Sequence, residues 1–408
     1  MASMALGAHL LLALAAVLAV SRLAGAAAVR LRQPRVVGEI AAGLLLGPSA
    51  FGWLAPAAFA ALFTAEVRAV LAGLGTLGLA LFMFLIGLEL DPVHVSARRR
   101  AVIGIAVGSI GLPFAVGLLL GLVALSPLAP PGLDRRLFAA FIGVALAITA
   151  FPVLARILAE RGLLRSELGG LALACAALND LSAWGLLTVI LGVARVGRAA
   201  APGRAVAALL AFGLALATVR PAWGSLTARH RRAGRLSPSI LAGVALLLGL
   251  SAAAAEAAGI HLAFGAFALG ALAPRGALSE ALTARLTPLV NVVLPIYFAA
   301  AGLRASIGLL DSAAAWGLFV AVLVGAIGAK LVGSAVAARL AGLGWRDALA
   351  LGALMNARGL MELVVLQIGL DAGLLTPTLF TMLVLMALLT TVMTTPALLA
   401  LGRGGAQR

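Results

Sequence analysis

Thirteen apolar runs follow one another almost without pause along these 408 residues, parted only by short basic or Gly/Pro-rich breaks. They fall at 4–21, 36–54, 69–90, 101–125, 137–158, 168–194, 204–219, 237–255, 260–274, 287–303, 312–338, 347–370 and 376–401. About 20 apolar residues in a helix span the hydrocarbon of a bilayer, and in lipid only helices or closed barrels satisfy every backbone polar group. The run lengths suit helices, so the pattern predicts an all-α polytopic membrane protein of about 13 transmembrane helices. Composition agrees: 63% of residues are hydrophobic and 11% charged, against roughly half and a quarter in soluble domains. The stretch 55–66 reads as an interfacial piece. No Lys or Arg precedes the first run, where a signal peptide carries its basic region, so that run reads as a retained helix. Cys175, the single cysteine, lies in an apolar run and reads as a small buried side chain.

A net charge of +16 raises the question of nucleic acid, and placement answers it. The basic residues stand singly or in small groups between apolar runs, with almost no interleaved aromatics, so no nucleic-acid surface is expected and the bilayer is the main partner. Twenty of them occupy connections on the side reached after the first helix, including Arg22, Arg30, Arg98 to Arg100, Arg339 and the five from Arg220 to Arg235. Seven lie opposite, among them Arg68, Arg135, Arg136 and Arg304, and three (Arg156, Lys330, Arg358) fall within spans. The bias places the N-terminus outside and the C-terminus in the cytoplasm of a multi-pass protein in the cell membrane.

Charges at bilayer depth are expensive, which makes each one a functional candidate. Asp180 lies near the middle of its run, preceded by Asn179. Lys330 lies equally deep in 312–338, flanked by Gly325, Gly328 and Gly333, which permit close helix approach. Matching depth invites pairing between them, either as part of a site or as an ion pair that merely locks two helices. Glu39 and Glu89 sit near span ends, as accessory funnel carboxylates or as solvated helix ends. Glu362, a further candidate accessory carboxylate, lies one helical turn beyond Arg358, a spacing suited to a local ion pair. Arg156 stands similarly to Glu160. The four histidines show no ligand-like spacing. No phosphate loop, nucleophile elbow or zinc motif is present, so neither enzyme chemistry nor a cofactor is expected.

Two runs carry interruptions. In 137–158, Ile148-Thr149-Ala150-Phe151-Pro152 sets a proline in mid-membrane, removing a backbone donor and disfavouring helix just before it. In 347–370, Met355-Asn356-Ala357-Arg358-Gly359 places polar, cationic and glycine residues at similar depth. One interruption precedes the Asp180 span and the other follows the Lys330 span. Paired interruptions in the two halves of a chain are the mark of transporters built from inverted repeats, with a site at the midplane.

These residues carry a resemblance. Pro34 to Ser49 (PRVVGEIAAGLLLGPS), Leu81 to Asp91 (LFMFLIGLELD), Thr149 to Leu158 (TAFPVLARIL) and Asn179-Asp180 resemble the monovalent cation/proton antiporters of the second superfamily branch, with the sodium/hydrogen exchanger fold. Met355 to Val365 (MNARGLMELVV) and Met386 to Pro396 (MALLTTVMTTP) are most similar to plant cation/proton exchangers and their bacterial relatives. The resemblance covers about residues 30 to 400. It implies a single transporter domain over 1–408 with two crossed, interrupted helices in a core made of 101–195 and 312–401. It further implies dimerisation or scaffold elements at 1–66 and 204–303, a homodimer, and a cation bound by Asp180 with Asn179 beside it and Lys330 nearby. Many electrogenic relatives carry Asp-Asp where this chain has Asn-Asp. Potassium-efflux relatives append a nucleotide-binding domain, and no such soluble regulatory domain is expected here.

Hard oxygen ligands suit Na⁺ or K⁺, so Asp180, Asn179, the Thr149 hydroxyl and carbonyls freed near Ala150 form the expected shell, with Ser182 more peripheral. One carboxylate that holds either the cation or a proton suffices for antiport by alternating access, provided the empty site cannot reorient. A single titrating carboxylate makes the exchange electroneutral, which is the expectation here because Asn179 cannot supply a second carboxylate partner for Lys330; a proton released by Lys330 as well would make it electrogenic. Two other readings stay open at this point, a potassium-efflux channel on the same fold and a cation-sensing membrane module.

Overall fold

The computed structural model describes residues 6–31, 33, 35–89, 99–163, 166–196, 213, 219–258 and 262–402, and every regular element among them is helical. In chain order the helices are α1 (Leu6–Arg30), α2 (Arg35–Leu46), α3 (Phe51–Leu54), α4 (Pro56–Leu62), α5 (Ala65–Glu89), α6 (Arg99–Val123), α7 (Arg135–Ala147), α8 (Phe151–Glu160) and α9 (Glu167–Val196). They continue with α10 (Val219–Ala233), α11 (Pro238–Ala257), α12 (Leu262–Ala271), α13 (Ala277–Gly302), α14 (Ala313–Leu340), α15 (Trp345–Met355), α16 (Leu360–Asp371) and α17 (Pro377–Ala400).

Among the described residues, nine segments are long and apolar enough to cross a bilayer. The broken pairs α7/α8 and α15/α16, with the ten-residue α12, complete the apolar set. The expected run 204–219 lies outside the described residues apart from Gly213 and Val219. Local chemistry fixes several starts. Asp134 caps α7 by accepting from the backbone N–H groups of Arg136 and Leu137 at 2.9 and 3.1 Å, and Ser312 and Thr376 cap α14 and α17 in the same way. Prolines open α4, α11 and α17, where the missing N–H costs nothing.

Three boundaries depart from the hydropathy reading. Helix α1 runs to Arg30 rather than 21, because its second half buries Ser21, Gly25 and Ala28 and packs on α2, where a Cβ on Gly38 would fall on the Ala24 backbone. Helix α13 starts at Ala277, ten residues before the expected run, through a stretch that carries Glu280 and Arg285 yet buries Leu278 and Leu282. Most of the five-arginine connection, from Arg220 to Arg232, is itself helix α10. It is docked through buried Trp223 and Leu226, with the Trp223 ring stacked on Phe84 at 6.2 Å and 4°, while Arg220, Arg229, Arg231, Arg232 and Arg235 stay exposed. The interfacial piece at 55–66 holds the short helix α4, its Phe59 and Phe63 packed with Phe51.

Packing gathers the helices into two groups. One joins α6 to α7 and α14, α14 to α15 and α17, and α9 to α6, α7 and α8. The other joins α1 to α2, α5 to α12 and α13, α11 to α12, and α2 to α13. In the second group the helices touch backbone to backbone: a Cβ on Gly302 of α13 would lie within the Gly43 backbone of α2. In the first, Gly333 approaches the Gly108 carbonyl of α6 equally closely, as expected from the glycines around Lys330, whereas Gly328 faces open space. At one end of the molecule α16 and α17 reach the second group through an Arg304–Asp371 ion pair at 2.6 Å and a hydrogen bond from the Ser306 N–H to the Thr381 hydroxyl at 3.1 Å.

Candidate functional site

The two interruptions lie against each other. Helix α7 ends at Ala147 and α8 begins at Phe151, leaving Ile148, Thr149 and Ala150 non-helical. Helix α15 ends at Met355 and α16 begins at Leu360. The backbone N–H of Ala150 donates to the Ala357 carbonyl at 3.0 Å, and the Thr149 hydroxyl donates to the Met355 carbonyl at 2.9 Å. Each break thus supplies partners for backbone that the other has freed, which is how irregular backbone persists at membrane depth. Gly359 makes the approach possible. It holds φ +155, and a Cβ there would stand 2.7 Å from Val153 Cγ2 of α8.

A broken helix exposes carbonyls and a partial negative charge at its C-terminal end. At the end of α7 two cations meet them. The Arg358 guanidinium donates to the carbonyls of Ala145 and Leu146 at 2.9 and 2.6 Å, and the Lys330 ammonium donates to the Ala147 carbonyl and to the Ser109 carbonyl of α6 at 2.9 Å. Arg358 also pairs with Glu362 at 3.2 Å, both side chains fully buried. Thr391 of α17 holds the Arg358 backbone from both sides, accepting from its N–H at 3.0 Å and donating to its carbonyl at 2.6 Å.

The opposite polarity faces Asp180. The positive, N-terminal end of α8 at Phe151 lies beside the Asp180 carboxylate, whose Oδ1 is buried with no hydrogen-bond partner. Beside it, Asn179 is 1% exposed and donates its amide to the hydroxyls of Ser109 at 2.8 Å and Thr149 at 3.3 Å. A buried carboxylate oxygen without a donor, next to a helix N-terminus and neutral oxygens, has the chemistry of a cation or proton position.

Of the residues singled out in the sequence, the crossing brings together Asp180, Asn179, Thr149, Ala150, Phe151, Asn356, Arg358, Gly359 and Glu362. Pro152 is the second residue of α8; its side chain and those of Arg156 and Glu160 lie outside the described residues. Lys330 arrives at the site, but its bonds go to carbonyls rather than to Asp180. Hydropathy gives depth along a helix and not direction around it, and the carbonyls of α7 face the ammonium. Ser182 turns back on its own helix, donating to the Leu178 carbonyl at 2.8 Å. Glu39 is half-buried on α2 and Glu89 is exposed at the end of α5, both in the other helix group. Sequence reasoning missed Ser109 and Thr391. Ser109 is one hydroxyl in an apolar run with no signal of its own, and Thr391 belongs to a threonine-rich run whose buried face only the packing reveals.

At the end where α6 and α9 begin and α14 ends, a cavity of about 900 Å³ opens, with Arg99, Arg100, Glu167 and Asp347 in its walls. From Leu171 in that wall to Asp180 is nine residues along α9, about 14 Å.

Comparison with known proteins places these features in context. The family described as "Sodium/hydrogen exchanger, transmembrane" matches residues 14–401. The Na⁺/H⁺ antiporter NhaS4 of Synechocystis sp. is 38% identical over 384 residues, covering 93% of this chain and 94% of that protein. Cation/H⁺ antiporter 17 of Arabidopsis thaliana is 39% identical over 97% of this chain and 48% of its own length. K⁺/H⁺ antiporter 1 of Saccharomyces cerevisiae is 36% identical over 90% and 43%. The chain therefore spans just under half the length of the plant and yeast relatives. Among solved structures, the sodium proton antiporter MjNhaP1 from Methanocaldococcus jannaschii has the same fold, with a TM-score of 0.64 at 16% identity over 97% of both chains.

Proposed function

The chain belongs to the sodium/hydrogen exchanger family, and from that premise we propose that it is a secondary antiporter, exchanging a monovalent cation, Na⁺ or K⁺, for protons at Asp180. The observation that carries the assignment to Asp180 is its Oδ1, buried and unpartnered where the two breaks cross. Asn179 and the Thr149 hydroxyl supply neutral oxygens nearby. The relatives named above are Na⁺/H⁺, K⁺/H⁺ and cation/H⁺ antiporters, which supports a transporter rather than an enzyme and a single site that takes either passenger.

The exchange is electroneutral in this reading. Lys330 is held by the Ser109 and Ala147 carbonyls, so a cation arriving at Asp180 breaks no Lys330–Asp180 pair and sets no second proton free. The α6–α9 and α14–α17 group is the moving core, and the group built on α1, α2, α5 and α11–α13 is the scaffold through which a homodimer forms. The arginine bias supports a cell-membrane protein with its N-terminus outside, which puts the 900 Å³ cavity on the cytoplasmic face as an approach toward Asp180.

Proteoliposomes with an internal pH dye test the assignment. Asp180→Asn abolishes proton movement driven by NaCl or KCl while the protein still folds, and transport that survives the substitution removes Asp180 from the mechanism. A current that follows membrane potential at fixed ion gradients refutes electroneutrality alone.

A further inference from the structure

Ser109 is fully buried on α6 and touches two members of the site through different atoms. Its carbonyl accepts from Lys330 at 2.9 Å, and its hydroxyl oxygen accepts from Asn179 Nδ2 at 2.8 Å. The hydroxyl proton has two acceptors in reach, the Ala106 carbonyl at 3.0 Å and Asn179 Oδ1 at 3.2 Å. A hydroxyl has one proton to give. The second hydroxyl that Asn179 meets, Thr149, directs its own proton to the Met355 carbonyl at 2.9 Å. Thr149 can therefore only accept from Asn179, which fixes the amide with its nitrogen toward the break, while the Ser109 oxygen lies within reach of both the amide nitrogen and Oδ1.

We propose that Ser109 is a positioning residue for cation binding: its hydroxyl holds the Asn179 amide by the nitrogen, and rotation of its one proton toward Ala106 frees Asn179 Oδ1 to serve as a cation ligand beside Asp180. With the site empty, the proton rests on Asn179 Oδ1 and the buried oxygen is satisfied. With a cation present, the proton turns to the Ala106 carbonyl, one turn back on the same helix, so no donor or acceptor is left unmet. The inference rests on the assignment of Asp180 and Asn179 as the cation site.

The test uses the full chain in proteoliposomes, with NaCl and KCl as probes, and cation-dependent thermal stabilisation of the purified protein as a second readout. Ser109→Ala raises the apparent KM for the transported cation about five-fold, the worth of one hydrogen bond of about 1 kcal/mol, and lowers maximal rate by a smaller factor. Ser109→Thr, which keeps the hydroxyl, restores KM. In the binding readout, Ser109→Ala weakens stabilisation by the cation in the wild-type background and has no further effect in an Asn179→Ala background. An unchanged KM in Ser109→Ala, equal losses in the Ala and Thr variants, or additive effects with Asn179→Ala overturn the proposal. If Asp180→Asn still transports, the site assignment has failed; if it is inactive while Ser109→Ala behaves as wild type, only the role of Ser109 has failed.

Discussion

Replacing Arg358 by Met tests how the broken helix α7 is held together. The side chain is fully buried and serves three acceptors: the Ala145 and Leu146 carbonyls at 2.9 and 2.6 Å and the Glu362 carboxylate at 3.2 Å. Methionine fills much of the volume but donates nothing. It leaves two helix-end carbonyls and one buried carboxylate without their cation. Hydrogen bonds to charged groups contribute about 1.5–3 kcal/mol each, and removing one partner of a buried ion pair costs about 3–5 kcal/mol. Because the three interactions share one guanidinium and are not additive, the expected loss is about 3–5 kcal/mol, a large part of a typical fold's stability. Replacing Glu362 as well removes the stranded carboxylate but not the bare carbonyls, so Arg358→Met/Glu362→Met recovers about 1–3 kcal/mol of that loss. Tryptophan fluorescence during unfolding in mixed micelles measures the series, with exposed Arg232→Met as the control, expected within about 0.5 kcal/mol of wild type. A single variant no less stable than that control, or a double variant no better than the single, refutes the account of Arg358 as the cap of α7.

In the proposed exchange, competition between a proton and a cation for one carboxylate sets the pH dependence of transport. On the acid side the apparent KM for NaCl or KCl should rise about ten-fold per pH unit, the linkage slope for one proton per cation, and a hundred-fold rise in initial-rate measurements would mean two. Gly359→Ala forces a Cβ to within 2.7 Å of Val153 Cγ2 at φ +155, so it should lower the unfolding midpoint by the equivalent of about 1–3 kcal/mol. Val153→Ala should restore part of that loss, and no recovery in the double variant would place the strain elsewhere. The Arg304–Asp371 pair is about half exposed on both sides; neutralising either partner should change stability by no more than about 1 kcal/mol, with the difference vanishing in high salt.

The positions of both breaks were legible in the sequence, because Pro152 and the Asn356–Gly359 cluster are residues a helix in lipid does not carry without reason. The depth of Asp180 was legible for the same reason: a lone carboxylate in an apolar run stands out. What the sequence could not express was direction. Lys330 lies at the depth expected of a partner for Asp180, yet it faces the carbonyls of α7, and rotation about a uniformly apolar helix leaves no trace in hydropathy. Helix α10 was hidden for the opposite reason. Its four arginines interrupt the apolar signal, while the residues it buries are Trp223, Leu226 and His230, too few for a periodic apolar pattern. Ser109 was invisible because a serine in a membrane helix usually bonds its own backbone, and only the arrival of Asn179 from α9 gives it another use.

The ties between the two breaks also govern how far the walls of the site can yield. Ala150 is fastened to Ala357, Thr149 to Met355, and Arg358 to Ala145 and Leu146, so neither half-helix can hinge without stretching the other. Behind them Phe141 of α7 presses on Gly369 of α16, where even one added carbon would collide with the ring. A stiff cradle of this kind prefers an ion by radius, because oxygens that cannot close around a small cation or spread for a large one lose contact with the wrong size. With Asp180 as the proposed cation site, a preference between Na⁺ and K⁺ would be spread through residues that never touch the ion, and trimming the Phe141 ring where it meets Gly369 would be a way to retune it without altering a single ligand.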